Sequence, residues 1–204
     1  RNSTRQEWGI APDETALLYV GRLAPEKNLG FLLRSVAPIL KNHPARLLLV
    51  GGGPDLELCR ELARKLGIAE RVIFPGFVEP KIIPNFYAAS DVFTFASRTE
   101  TQGLSISEAL CAGLPCVVVN AMGAAEALEN EGDGFLVPPF ENRFREAVLQ
   151  LVQNPDLRQK FGQRALERAP QFSKERRVSQ LVELYKNVVA ENSERLEEAR
   201  FELM

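Results

Sequence analysis

Two pairs of charged residues have types and spacings that could act together. Arg22 and Lys27 lie five residues apart in Gly21-Arg22-Leu23-Ala24-Pro25-Glu26-Lys27-Asn28. Glu100 and Glu108 lie eight apart, with Gly103, Leu104 and Ser105 between them. A guanidinium makes forked contacts with phosphate oxygens and an ammonium acts as a point charge, so the first pair suits a phosphorylated anion. Glu100 reads as a loop residue and Glu108 as a member of the helix that follows. Backbone N–H groups around Gly103, Leu104 and Ser105 would then be free at the helix start. Such amides, aided by the helix dipole, hold a diphosphate, while two carboxylates bind hydroxyls on either side of it. A sugar nucleotide presents both kinds of group. Gly51-Gly52-Gly53-Pro54 also precedes a helix, and either allows close backbone approach to a ligand or simply makes a tight turn.

Each of these segments follows a short apolar run. The runs are Ala16–Val20, Arg46–Val50, Val72–Phe74, Val92–Phe95 and Cys116–Val119, with Leu136-Val137 as a sixth. Their nearly continuous hydrophobicity predicts strands buried on both faces, as in a parallel sheet covered by helices. Between them, Leu29–Leu40, Asp55–Leu66 and Ser105–Ala112 carry apolar residues at helical spacing. After Val137-Pro138-Pro139 the pattern is wholly helical, over Glu141–Gln153, Pro155–Arg168 and Ser173 to about Ala190. The class is therefore α/β. In open parallel sheets ligands bind beyond the carboxyl ends of the strands, where the charged loops stand. The 204 residues, 45% of them apolar, are enough for one large domain, and we find no repeat or second domain in the pattern.

Other chemistries lose support. The first loop is neither the three-glycine dinucleotide fingerprint nor a Walker loop, which disfavours nicotinamide chemistry and ATP hydrolysis. With 25 Lys and Arg against 27 Asp and Glu, the chain has no general field for nucleic acid or an anionic membrane. No apolar run approaches the roughly 20 residues of a membrane span. A soluble, cytoplasmic chain is expected, with peripheral membrane contact only through a longer protein. Cys59, Cys111 and Cys116 lack metal-site or disulfide spacing and read as reduced, mostly packed thiols. His43, the one histidine, reads as a surface turn residue, and Lys160, Arg164 and Arg168 as a solvated helix face. The acidic segment Glu191–Met204 is given no anchoring role. The chain has no initiator Met, and Arg1–Gly9 reads as the end of a helix, so a piece of a longer protein is expected.

With the Gly-Arg-Leu-x-x-Glu-Lys-Asn loop, the Glu-x7-Glu motif and Gly134–Pro139 in order, the chain resembles the C-terminal domain of a family 4 (group 1) retaining glycosyltransferase of the GT-B fold. The resemblance covers almost the whole length. It implies a Rossmann-like sheet of about six parallel strands with helices on both faces and extra C-terminal helices. Residues 1–204 would be the nucleotide-sugar (donor) domain, without the N-terminal acceptor domain and the catalytic histidine usually carried there. It implies that Arg22 and Lys27 bind the donor diphosphate, Glu100 the sugar hydroxyls and Glu108 the ribose hydroxyls. Gly21 and the amides of Gly103 and Leu104 also approach the donor, and Arg22, Lys27 and Glu100 carry the chemistry. The implied activity is sugar transfer with retention from a nucleoside diphosphate sugar such as UDP-glucose, inactive in this chain alone. No metal or other cofactor is expected, since the two cations and the helix start can take a divalent ion's place and no Asp-x-Asp is present.

Two segments depart from the family pattern. Asn120–Glu126 replaces a more glycine-rich turn, which leaves a donor contact at Gly123 unassigned and Glu126 open to a structural role. Glu100-Thr101-Gln102-Gly103-Leu104 resembles members that glucosylate diacylglycerol, so a lipid is one acceptor class. Half of a nucleotide-sugar epimerase, or a free-standing nucleotide-sugar-binding module, remain alternatives. A glycosidase would also use two carboxylates, but acting on a neutral glycoside it has no diphosphate to neutralise.

Overall fold

The computed structural model describes residues 1–121 and 123–202, the side chains of 125, 126, 191 and 193–202 excepted. Six strands form one parallel sheet: β1 (Thr15–Val20), β2 (Ala45–Val50), β3 (Val72–Gly76), β4 (Val92–Phe95), β5 (Cys116–Val119) and β6 (Gly134–Val137). Their spatial order is β3-β2-β1-β4-β5-β6. Strand β1 therefore pairs on one side with β2, Leu17 opposite Leu47, and on the other with β4, Leu18 opposite Phe93. The sixth strand, expected only at Leu136-Val137, starts two residues earlier.

The helices are α1 (Asn2–Glu7), α2 (Leu29–Asn42), α3 (Leu56–Lys65), α4 (Ile83–Ala89), α5 (Leu104–Cys111), α6 (Ala124–Ala127), α7 (Glu141–Gln153), α8 (Pro155–Arg168) and α9 (Lys174–Glu202). Crossovers between parallel strands are right-handed, so connections that move in opposite directions along the sheet cover opposite faces. Helices α2 and α3 serve the move toward β3, and α4 and α5 the move toward β6. Accordingly α2 packs with α3 and α7, while α4 contacts β1 and α5 contacts β4 and β5. Helix α4 is absent from the sequence reading, and α9 continues past Ala190, where that reading ends it. Among the described residues no helix is long and apolar enough to cross a membrane.

The four central strands are buried on both faces as their composition requires, with Leu17, Leu18, Leu48 and Val117 wholly inaccessible, whereas the edge strands β3 and β6 are only partly covered. Tyr19, Phe93 and Phe95 stack in a row at centroid separations of 6.2 Å. At the amino end of the sheet, buried Arg5 donates to the carbonyls of Ala11 (2.8 Å) and Ala89 (2.9 Å), tying α1 to the end of α4. Glu14 joins Arg46 (2.8 Å) and Arg71 (2.7 Å). The helical Arg168 is not part of a solvated face: its guanidinium is largely covered and pairs with the buried carboxylate of Asp133.

The triple glycine after β2 has a structural task. The Gly21 amide donates to the Val50 carbonyl (3.0 Å), the Leu23 amide to Gly52 (2.9 Å) and the Asp55 amide to Leu23 (2.9 Å). Gly51 has φ 140°, and a Cβ there would fall 1.9 Å from the Gly21 carbonyl oxygen. Gly53 has φ 154°, and its Cβ would fall 2.2 Å from that of Leu23. Two glycines are thus required because the loop carrying Arg22 is laced to them backbone to backbone. Gly53→Ala should lower the unfolding free energy by about 1–3 kcal/mol, since the methyl meets a backbone oxygen in a conformation that favours glycine. Urea denaturation measures this, and an unchanged midpoint would show that the first loop yields freely.

Candidate functional site

Strand order reverses between β1 and β4, so α2 leaves the crevice on one face and α5 on the other. A cavity of about 360 Å³ opens at this point. Its lining includes Gly21, Arg22, Lys27, Glu100, Leu104 and Glu108, six of the seven residues singled out from the sequence. The seventh, Gly103, is buried behind them as the N-cap of α5, at φ 61°. A strand–loop–helix connection at the centre of a parallel sheet brings residues some eighty positions apart into one place.

Lys27 and Glu100 hold each other, Glu108 is held by a tyrosine, and Arg22 is held only through its backbone. After β1 a short turn, Pro25–Lys27, ends on Asn28 in the left-handed conformation (φ 54°), and α2 begins at once. This aims Lys27 across the crevice, its Nζ 5.9 Å from the Phe95 ring centroid and 2.8 Å from Glu100 Oε2. The pair is only 20% and 17% exposed. Burial pushes the Glu100 carboxyl upward, but the Lys27 ammonium and the Gly103 and Gln102 amides outweigh it and hold the group below its ordinary value. Ser97 adds a second tie between the two loops, its Oγ donating to the Glu26 carbonyl (3.1 Å). Arg22 is exposed, while its backbone carbonyl accepts from the buried Tyr19 hydroxyl (2.9 Å).

The other carboxylate sits one turn into α5. Glu108 Oε2 accepts from the hydroxyl of Tyr87 (2.7 Å), a buried residue of α4. Burial, then the hydrogen bond and charge of Glu108, raise the Tyr87 phenol far above its ordinary range, so it remains a donor. Leu104 and Ser105, first in α5, line the same cavity, and their amides have no intrahelical carbonyl to meet. Gly123 serves the loop of Glu100: its amide donates to the Glu100 carbonyl (3.0 Å), and a Cβ would fall 2.2 Å from the Thr101 carbonyl oxygen. The Glu126 side chain lies outside the described residues.

A second cavity of about 380 Å³ shares Val20, Gly21 and Arg22 with the first and continues to Gly51, Gly52, Phe77, Val78 and Ile83. Its lining is largely apolar, and Phe77 is 84% exposed. Sequence reasoning names Gly51 and Gly52 as a possible approach to a ligand but misses the Phe77, Val78 and Ile83 side of this cavity, together with Tyr19 and Tyr87. The available signal was Phe77-Val78, apolar residues just beyond the carboxyl end of β3. His43 lies at the end of α2, away from both cavities. Cys59 and Cys116 are buried and Cys111 exposed, all as free thiols. Among the described residues, no three His, Cys, Asp or Glu side chains gather as metal ligands.

Comparison with known proteins matches residues 1–168 to the family described as glycosyl transferases group 1. A D-inositol 3-phosphate glycosyltransferase of Nocardia farcinica is 33% identical over 91% of this chain and 43% of its own length. The alpha-monoglucosyldiacylglycerol synthase of Acholeplasma laidlawii is 30% identical over 94% of this chain and 48% of its own. Among solved structures, HepE of Anabaena in complex with UDP superimposes with a TM-score of 0.82 at 26% identity, over 91% of this chain and 52% of that one. The chain thus spans less than half the length of these two curated relatives, and its six-stranded sheet is that of the C-terminal domain of GT-B enzymes.

The lowered Glu100 pKa gives the ion pair a pH signature. A depressed carboxyl stabilises the fold above its unfolded value, roughly pH 4.3, and that stabilisation disappears as pH falls through the folded value. The unfolding midpoints of the parent chain and Glu100→Gln should therefore differ at pH 7, and the difference should begin to shrink below roughly pH 4.3 and vanish once pH has passed the lower folded value. A constant difference across that range would mean that the pair contributes nothing.

Proposed function

The chain belongs to the glycosyl transferases group 1, and on that premise we propose that it is the donor-binding half of a retaining transferase that uses a nucleoside diphosphate sugar. One observation carries the reading: two cations, a helix start and two separated carboxylates converge on one cavity that continues into an apolar one. The diphosphate lies against Arg22, Lys27 and the Leu104 and Ser105 amides. The base enters the apolar cavity beside Phe77 and Val78. Glu108 takes the ribose hydroxyls and Glu100 those of the transferred sugar. HepE, whose structure holds UDP in the same fold, makes UDP the first nucleotide to test.

In the transfer, the bond between the anomeric carbon and the diphosphate breaks and negative charge builds on the leaving oxygen. Arg22, Lys27 and the helix-start amides supply preorganised positive potential at that point. This is the work a divalent ion does in other transferases, so the proposal is of metal-independent chemistry. The acceptor half belongs to the remainder of a longer protein. A lipid acceptor is the first class to test, given the relative named for monoglucosyldiacylglycerol and the sequence around Gln102.

Lys27 has two duties in this scheme. Without donor its ammonium rests on Glu100. With donor it is shared with the diphosphate, as Glu100 turns to sugar hydroxyls. Removing the Glu100 charge therefore releases Lys27 toward phosphate.

Calorimetry divides these roles. Arg22→Ala should weaken UDP binding by about 1.5–3 kcal/mol, with little change for uridine, both in magnesium and in chelator. Equal losses for UDP and uridine would place Arg22 away from the diphosphate. Glu100→Gln should leave UDP bound as tightly as before or more tightly, while UDP-glucose loses about 1–2 kcal/mol relative to UDP. An equal weakening of both ligands would remove Glu100 from the sugar end.

A further inference from the structure

Helix α4 joins the two cavities. Ile83 and Tyr87 are four residues apart and so share one helix face. Ile83 lines the apolar cavity, and Tyr87 donates to Glu108 at the edge of the charged one. One face of α4 thus connects Glu108, through Tyr87, to Ile83 in the apolar cavity. Lys27 ties Glu100 separately to the loop after β1.

Resting on the donor-site reading above, we infer that Tyr87 is a positioning residue that sets the preference for a ribonucleotide over a nucleotide lacking ribose hydroxyls. A glutamate in an exposed stretch of helix has several rotamers, and ordering it on ligand binding costs up to about 2 kcal/mol of side-chain entropy. Tyr87 removes part of that cost before the ligand arrives. Its hydroxyl has one proton and two acceptors in range, Glu108 Oε2 at 2.7 Å and the Ser105 carbonyl at 3.3 Å. The shorter contact, to the ionised acceptor, takes the proton. That bond occupies one oxygen of Glu108 and leaves Oε1 to accept from a ribose diol. The ring is fixed in turn: Tyr87 is buried and packs 6.0 Å from Phe93 of β4. The orientation of an exposed carboxylate is thereby set by the core. Tyr87 touches no part of the ligand and acts only through Glu108.

The test uses Tyr87→Phe, Glu108→Gln and the double variant. Each is titrated with the tightest-binding of UDP, ADP and GDP, and with the 2′,3′-dideoxy analogue of that nucleotide. Two affinities measured on one sample have a ratio independent of the fraction folded, so a modest loss of stability does not disturb the readout. Tyr87→Phe is expected to weaken the ribonucleotide about three- to tenfold and to leave the dideoxy analogue within about twofold. Glu108→Gln should act the same way and more strongly, and Tyr87→Phe should add nothing in its presence. If Glu108→Gln lowers the ratio and Tyr87→Phe leaves it at the parent value, the inference fails while the donor reading stands. If Tyr87→Phe weakens both ligands equally, Tyr87 is only a structural support and the inference is overturned. If Glu108→Gln also leaves the ratio unchanged, or no nucleotide binds, the donor reading itself fails.

Discussion

The pairing of β1 with both β2 and β4 is the constraint on which the rest depends. Because crossovers are right-handed, the chain covers one face while moving toward β3 and the other while moving toward β6. The helices after β1 and β4 therefore part, and the crevice between them cannot be filled by either. Everything charged in the site comes from these two connections: Arg22 and Lys27 from the first, Glu100 and Glu108 from the second. Neither connection is rigid alone. The first is laced to Gly51–Gly53, the second is braced by Gly123, and Ser97 and the Lys27–Glu100 pair tie them together.

Much of this was legible in the sequence because the relevant signals are local. A strand buried on both faces must be nearly continuous in apolar residues, and β1, β2, β4 and β5 read that way. Polar residues just beyond such runs have few uses in a packed core, so Arg22, Lys27, Glu100 and Glu108 stood out before any fold was known. What stayed hidden depends on partners distant in the chain. Helix α4 has only seven residues, with a proline in its first turn, and no run long enough to show a helical period. Tyr87 looks like any core aromatic until α5 is placed against it. The three glycines after β2 left a ligand-facing loop and a tight turn both open, and the structure gives them both tasks: Gly51 and Gly52 line the apolar cavity, while Gly51 and Gly53 lie against Gly21 and Leu23, thirty positions away. Arg168 read as one of a solvated stripe because Asp133, its buried partner, is also remote.

The electrostatics of the crevice follow from unequal neutralisation. Lys27 is matched by Glu100 at 2.8 Å, while Arg22 makes no hydrogen bond through its guanidinium among the described residues. The helix-start amides add partial positive charge on the opposite wall. An anion entering the crevice thus meets one free guanidinium and one ammonium already lent to a carboxylate. The second costs energy to redirect only if the carboxylate is then left unpaired and buried. A ligand that brings hydroxyl groups alongside its charge avoids that cost, since it can supply donors to the released carboxylate. A bare diphosphate cannot. In the proposed reading, the ion pair therefore favours an anion joined to a polyol over an anion alone.

Two buried tyrosines complete this logic, one under each wall. Tyr19 rises from β1 and holds the Arg22 carbonyl, and Tyr87 comes from α4 and holds the Glu108 carboxylate. Both phenols are pushed up by burial first and by nearby carboxylates second, so each stays a hydrogen-bond donor across the accessible pH range. Each ring is also part of the core, stacked beside Phe95 in one case and tilted against Phe93 in the other. A surface loop and a long acidic side chain would otherwise be the most mobile parts of the site. Anchoring them to core aromatics moves their ordering cost from binding to folding, where the burial of two large rings offsets it. The polar wall of the crevice is therefore fastened at two points to the hydrophobic layer beneath it, because the same two side chains belong to both.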